Sequence, residues 1–435
     1  MKIAYITAGA AGMYCGSCIH DNTLAAALIA MGHDVALMPT YTPTRTDEHD
    51  VSMDRVFYGA INVFLEQKSA LFQRLPGPLH RFLDRPRLLD WVSGRGVSID
   101  AKQLGDMTLS VARGESGNQR RELEELVAWL RDDFHPDIVH ITNSMFLGLA
   151  APLKRELDVP VLCSLQGEDI FLDDLAEPFK SQVHGQLQAH AREVDGLVAT
   201  CYDYADFMAD YLAVARDTVH VVPLGIKLDG HRGAPAMPRT EGPFVIGYLA
   251  RICPEKGLHD LVEAVALLAQ RHGKEAVRLQ VAGYLGKRDE DYFGALRERI
   301  AELGLDDVFH YTGEVDREQK IAFLQGLDAL SVPTVYKDPK GLFVLEALAN
   351  GVPVVQPAHG SFPEMIEATG GGLLSRPGST ESLAGQLEAL MRDPARRHQL
   401  GTAGAAAVRE RFSDGAMAET TLAVYEALRK SSRPQ

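Results

Sequence analysis

The chain has 435 residues, 46% of them hydrophobic and 24% charged, enough apolar content to fill more than one core and so expected to divide into two domains. Its formal net charge of -15 at pH 7 opposes nucleic acid as a partner, because a surface that neutralises phosphates carries basic excess. No apolar run reaches the roughly 20 residues that span a bilayer.

Met1-Lys2 runs directly into the strand-like Ile3-Ala4-Tyr5-Ile6, which leaves no room for a signal peptide and leads us to expect a cytoplasmic protein. Five cysteines, an odd number, suggest reduced thiols and no disulfide framework. Lys2 to Thr7 reads as a buried strand, followed by a Gly-rich turn at Gly9, Gly12 and Gly16 and an Ala/Leu-rich helix over Asn22 to Met31. Asp34 to Met38, Ile138 to Ile141, Val161 to Leu165 and Leu197 to Thr200 read as further strands. An insertion at about 45–118 interrupts them, with Pro76-Gly77-Pro78 between two helical pieces. Within it, 73–95 interleaves Arg74, Arg81, Arg85, Arg87 and Arg95 with Leu79, Phe82 and Trp91. That stretch reads either as a helical pair with solvated arginines or as a patch that covers an acceptor cleft or touches an anionic inner membrane face.

Gly, Pro and charge replace apolar periodicity between Gly225 and Gly242, notably in Gly230-His231-Arg232-Gly233-Ala234-Pro235-Ala236-Met237-Pro238. The expected division is therefore 1–225, a linker at 226–242, 243–412, and a last helix within 413–435 that packs back on the first domain. The second half repeats the first: a strand at Phe244 to Leu249, a helix at Leu258 to Gln270, and strands at Arg278 to Ala282, Val308 to Tyr311, Ala329 to Pro333 and Val352 to Gln356. The last helix covers about Ala416 to Arg429. Such alternation predicts an α/β protein with two doubly wound, Rossmann-like domains.

The richest chemistry lies in Asp338-Pro339-Lys340-Gly341-Leu342-Phe343-Val344-Leu345-Glu346. From Leu342 to Leu348 every position except Glu346 is apolar, and Glu346 and Asn350, four apart, make one polar stripe on a buried helix. A carboxylate there needs donors from protein or ligand, since burying it unpaired costs several kcal/mol. The backbone N–H groups of Gly341, Leu342 and Phe343 open that helix, where its dipole favours phosphate oxygens. Arg251 and Lys256, on a strand-to-helix loop, are either surface ion-pair residues or two cations facing a diphosphate, neutralising the leaving group as its sugar bond breaks.

Cys15-Gly16-Ser17-Cys18, followed by His20, reads as a small-residue acceptor loop or as a thiol or metal site with only three ligands at hand. Asp289-Glu290-Asp291 has a metal-binding form, but it opens an amphipathic helix where acids suit the dipole. His140 ends a buried strand, facing a cleft or satisfied in the core.

At these residues the chain resembles glycosyltransferase family 4, retaining enzymes of the GT-B fold. The likeness rests on Arg251 with Lys256-Gly257, Val281-Ala282-Gly283, Phe309-His310-Tyr311-Thr312-Gly313 and the run from Pro333 to Val355. It implies two domains facing across a cleft and closing on the donor. It also implies that Arg251 and Lys256 hold the diphosphate, that Asp338 contacts donor-sugar hydroxyls and Glu346 the ribose within an E-x7-E motif, and that Gly341, Leu342 and Phe343 line the donor. Ala8 to Gly16 resembles the Gly-rich loop beneath the donor phosphates, with Gly12 beside a phosphate and Tyr14, Cys15, Gly16 and Ser17 toward the acceptor.

Two positions depart from the family pattern. Asp338 stands where Glu is usual, and Gln166 where many members carry His in a His-Gly-x-Asp run. Gln166 can orient sugar hydroxyls but cannot act as a general base. With Asp338, Arg251 and Lys256 it makes the expected catalytic group, serving transfer of a hexose from a nucleoside-diphosphate sugar to an acceptor hydroxyl with retention and without a metal or other cofactor.

The N-terminal half also bears a looser likeness to glycogen and starch synthases, in Gly32-His33-Asp34-Val35, Pro39 to Tyr41 and Arg55-Val56-Phe57. A glucan polymerase is therefore one alternative, although Tyr14-Cys15-Gly16-Ser17 replaces the lysine-bearing Gly-Gly-Leu turn of those enzymes. A thiol-redox or metal-responsive binding protein on the same fold is the other.

Overall fold

A computed structural model describes residues 1–9, 16–40, 43–53, 101–235 and 242–431. The insertion's basic stretch at 73–95, and Gly12, Tyr14 and Cys15, lie outside these described residues. Two units separate: Met1–Pro223 with Met417–Gln435, and Leu224–Ala416.

In the first unit the apolar runs become strands buried on both faces, as expected where helices cover a parallel sheet from either side. In chain order the elements are β1 (Lys2–Thr7), α1 (Gly16–Ala30), β2 (Asp34–Pro39), α2 (Ala101–Ala112), α3 (Arg120–Trp129), β3 (Ile138–Thr142), α4 (Ala150–Leu157), β4 (Val161–Ser164), α5 (Asp169–Asp173), α6 (Phe179–His190), β5 (Gly196–Ala199), α7 (Tyr202–Tyr211) and β6 (Val219–Val221). The strands lie in the order β2-β1-β3-β4-β5-β6, all pairs parallel. The register sets Tyr5 between Leu37 and His140.

The second unit continues with β7 (Phe244–Leu249), α8 (Leu258–His272), β8 (Val277–Ala282), α9 (Glu290–Glu302), β9 (Phe309–Gly313), α10 (Arg317–Gln325), β10 (Ala329–Leu330), α11 (Leu342–Ala349), β11 (Val354–Pro357), α12 (Phe362–Thr369), β12 (Gly372–Ser375), α13 (Thr380–Arg392), α14 (Pro394–Arg411) and α15 (Asp414–Ser431). Its parallel sheet runs β12-β11-β10-β7-β8-β9. From Met417 onward α15 belongs to the first unit, where Met417, Tyr425 and Leu428 join Ile3, Tyr5, Leu28 and Leu162 in one core layer.

Several boundaries differ from the sequence expectation. α1 begins at Gly16, well before Asn22, although Ser17, Asn22 and Thr23 favour caps over helix interiors. Tertiary bonds that Tyr5, Thr7 and Gln166 make to His20 and Asp21 inside this helix override that local preference. β10 stops at Leu330, and Val332 donates instead to the Gln356 side chain; Pro333 has no N–H for a ladder. The short β6 and β12 carried too little apolar pattern to be read. Residues 230–235, for which a linker composition was noted, are hydrogen-bonded onto the end of α11. Gly233 N donates to Ala349 O and Arg232 N to Asn350 Oδ1.

Among the described residues no helix is long and apolar enough to cross a membrane.

Candidate active site

In the second unit the loop after β7 delivers the two predicted cations. Gly257 takes φ +70, a left-handed turn that starts α8, and a Cβ there would stand 1.9 Å from Pro333 O. Only glycine lets the Lys256 loop press this closely on the segment leading to Asp338. The two are also stitched by Val335 N donating to Glu255 O at 2.9 Å. Lys256 Nζ consequently lies 2.6 Å from Asp338 Oδ2 and 2.6 Å from the Tyr336 hydroxyl. It sits 5.0 Å from the Tyr336 ring centroid and 5.7 Å from that of Phe343.

Asp338 is buried, 3% exposed. Tyr336 OH also reaches its Oδ2, at 3.2 Å, while Lys340 N and Gly341 N donate to Oδ1 at 3.0 and 3.3 Å. Burial alone would raise the Asp338 pKa, but the Lys256 charge and bond and the Lys340 amide bring it below the usual carboxylate range. For Lys256 burial lowers the pKa, yet Asp338 and Tyr336 carry it above the ordinary lysine value, so the ammonium keeps its proton.

Gly341, at φ +63, caps α11 without a side-chain hydrogen bond. The first turn of that helix, Leu342 and Phe343, thus lies directly beyond the Asp338 carboxylate and beside the Lys256 ammonium. Glu346, one turn further, meets Lys320 of α10, with Nζ 2.5 Å from Oε1. Among the described residues its Oε2 makes no hydrogen bond.

The polar stripe expected at Glu346 and Asn350 is therefore not a solvated one. Asn350 is 1% exposed, and its side chain is satisfied by Arg232 N, Gln325 Nε2, His231 Nδ1 and Glu346 O. Arg251 stands apart from these pairs, its Nε donating to Cys253 Sγ at 3.4 Å.

In the first unit, Gln166 follows β4. Its Nε2 donates to Asp21 Oδ1 at 2.7 Å and lies 3.3 Å from His20 Nδ1. Asp21, fully buried, also accepts from Tyr5 OH at 3.0 Å and Thr7 Oγ1 at 2.6 Å, with His20 Nδ1 at 3.0 Å. Burial would raise its pKa, but the bonds from His20, Thr7 and Gln166 hold it low. Gln166 Oε1 is buried with no hydrogen-bond partner among the described residues, and it borders a small cavity lined also by His20, His140, Ser164, Thr200 and Thr421.

His140 is a satisfied core residue, with Tyr425 OH 2.6 Å from Nδ1 and Ser164 Oγ 2.6 Å from Nε2. Burial pulls its pKa down to about 3. Gly16 and Ser17 form the first turn of α1. Cys18 is buried in that helix and forms no disulfide among the described residues. Asp289 caps α9 and Glu290 and Asp291 form its first turn, as read from the sequence.

Sequence reasoning missed Tyr336, Lys320 and Asp21. Only the isolated charge of Glu346 on an apolar helix signalled that a partner such as Lys320 must exist.

Two parallel doubly wound sheets, with a lysine, two acids and a helix start gathered at strand ends of the second, define a glycosyltransferase of the GT-B fold. The family model for glycosyl transferases group 1 matches residues 235–407, and that for the glycosyl transferase 4-like domain residues 22–225. The chain is 30% identical to a D-inositol 3-phosphate glycosyltransferase of Stackebrandtia nassauensis over 307 residues, 66% of this chain and 68% of that one. It is 24% identical to a glycogen synthase of Mycobacterium tuberculosis over 417 residues, 95% and 91% of the two chains. Among solved structures, Anabaena HepE in complex with UDP superposes with a TM-score of 0.66 at 17% identity, covering 98% of this chain and 100% of that one. The chain belongs to the family 4 type of glycosyltransferases, which includes glycogen-synthase-like members, and it is an enzyme that uses nucleotide sugars.

Proposed function

We propose that this enzyme transfers a hexose from a nucleoside-diphosphate sugar to an acceptor hydroxyl, with retention at the anomeric carbon and without a metal ion. The observation that carries the reading is the Lys256 ammonium, held charged beside the first turn of α11. A fixed cation and a helix N-terminus together suit a diphosphate. Arg251 adds a second cation on the same loop, and Glu346, with Oε2 uncommitted among the described residues, is suited to ribose hydroxyls.

In the reaction the anomeric C–O bond to the diphosphate breaks and a bond to the acceptor oxygen forms. The charge left on the diphosphate is neutralised by Lys256 and Arg251, which supports transfer without a metal. Gln166 cannot take the acceptor's proton, so the proton passes to the departing phosphate, a route that keeps attack on the face from which the leaving group departs. The HepE structure contains UDP, which makes UDP-sugars the first donors to try. Among the described residues Cys18, Cys163, Cys201 and Cys253 are buried and outside any disulfide, which fits a reducing cytoplasm.

The test is binding and hydrolysis with UDP-, GDP- and ADP-sugars in the presence of a chelator, followed by NMR assignment of the product's anomeric configuration. Inversion, or activity only with added divalent metal, would overturn the corresponding half of the proposal. Glu346→Ala should abolish donor binding. A glucan polymerase is the second reading, favoured by the near full-length likeness to a glycogen synthase; elongation of a malto-oligosaccharide primer from ADP- or UDP-glucose distinguishes it.

A further inference from the structure

We propose that Asp338 is a positioning residue for the diphosphate, acting through Lys256 and the turn that opens α11, and that its carboxylate does not read the donor sugar. This rests on the donor reading above and differs from the role that the family resemblance implies.

A carboxylate offers about four acceptor sites, and all four are occupied here by the protein: Lys256 Nζ and Tyr336 OH at Oδ2, Lys340 N and Gly341 N at Oδ1. A sugar hydroxyl could be accepted only by displacing one of these donors. The main chain is pinned as well, because Asp338 O accepts from both Ser361 N and Ser361 Oγ at 2.9 Å. A Cβ on Gly360 would stand 2.8 Å from Asp338 N, so the neighbouring turn closes directly over it.

The shortened acid has a physical reason in this arrangement. An aspartate can hydrogen-bond the backbone amide two residues on and so close its own turn, which Asp338 does with Lys340 N. A glutamate would carry the carboxylate one methylene past those amides. Lys256 gains the complementary fit: two of its three N–H groups go to Asp338 and Tyr336, and the third makes no hydrogen bond among the described residues, which leaves it for a phosphate oxygen. Glu346 contrasts with Asp338, since one of its oxygens is uncommitted among the described residues. Of the two acids, Glu346 is therefore the one equipped to touch the ligand.

The experiment is isothermal titration of the wild type, Asp338→Asn and Tyr336→Phe with UDP, GDP and ADP, and with the glucose ester of each. For the nucleotide that the wild type binds, Asp338→Asn should weaken the diphosphate and its sugar ester by the same factor, about tenfold or more for loss of a charge-assisted bond. Tyr336→Phe should do the same to a smaller extent.

A purely structural role would not produce a further change. In Asp338→Asn burial is no longer offset by the carboxylate and pulls the Lys256 pKa below the ordinary lysine value, so diphosphate binding should decline between about pH 8 and 10 as the ammonium loses its proton. The wild type and Asp338→Glu, which keep the counter-charge, should stay flat. Unchanged or tighter diphosphate binding in Asp338→Asn, with the sugar ester losing its own advantage, overturns the proposal in favour of sugar reading. Should Asp338→Asn not fold, the same ratio in Tyr336→Phe decides. If the wild type binds none of the three diphosphates, the donor reading itself falls and this inference with it.

Discussion

Replacing Lys256 with methionine keeps the length and the apolar stem of the side chain while removing the cation. Asp338 would then stay buried, 3% exposed, with Tyr336 OH, Lys340 N and Gly341 N as its remaining donors. Breaking a buried ion pair by deleting one partner costs about 3–5 kcal/mol, and the three surviving donors reduce this to about 2–4 kcal/mol. For a unit of this size, each kcal/mol lowers Tm by roughly 2–4 °C.

The pH dependence has a definite sign. In the wild type the folded pKa of Asp338 is depressed, so its contribution is present above the unfolded value and lost as pH falls through the folded one. In Lys256→Met, burial dominates and the folded pKa lies above the unfolded value. The folded state then takes up the proton first, and acidification relieves the strain. The stability gap between wild type and variant should therefore narrow from about pH 8 to pH 5. Urea denaturation followed by far-UV circular dichroism at both pH values measures it. Equal stability at pH 8, or a gap that widens toward pH 5, would refute the argument that this pair neutralises Asp338.

Four further outcomes concern other buried contacts and turns of the two units. Tyr425→Phe removes the hydroxyl 2.6 Å from His140 Nδ1 and should cost about 1–3 kcal/mol in a urea titration, the penalty of an unmatched buried polar atom. Because the folded pKa of His140 is depressed to about 3, its contribution is present above the unfolded value near 6.5 and lost as pH falls from there toward 3. A His140→Asn variant should show a shallower decline over that window. Gly257→Ala places a Cβ 1.9 Å from Pro333 O at φ +70; nucleotide-induced thermal stabilisation should disappear as the Lys256 loop is pushed from Asp338. Glu346→Gln should lower both stability and donor affinity, and adding Lys320→Met should restore stability but not affinity, since only the ion pair is structural.

The strands were legible because a parallel sheet covered on both faces writes itself as apolar runs, and Phe244–Leu249 and Lys2–Thr7 read with the bounds they have. The first turns of helix α1, Gly16 to Asp21, were not, because Gly16, Ser17, His20 and Asp21 resemble a loop until Asp21 finds Tyr5, Thr7 and Gln166 across the sheet. The charged positions of the donor segment were legible too, since isolated carboxylates on an apolar helix stand out. Their neutralising partners were not, because Lys256 and Lys320 come from other loops and helices and meet the acids only through the packing of β7, α8 and α10 around α11. That difference bears on function. Two acids eight residues apart look equivalent in sequence, yet Asp338 is enclosed by protein donors while Glu346 is partly open with one oxygen uncommitted among the described residues. Equivalent charge with unequal access underlies the proposed division of tasks, Asp338 shaping the diphosphate cradle and Glu346 meeting the ligand. Donor-sugar selectivity in this chain should accordingly respond more to substitutions that alter access to α11 than to the exchange of Asp338 for glutamate.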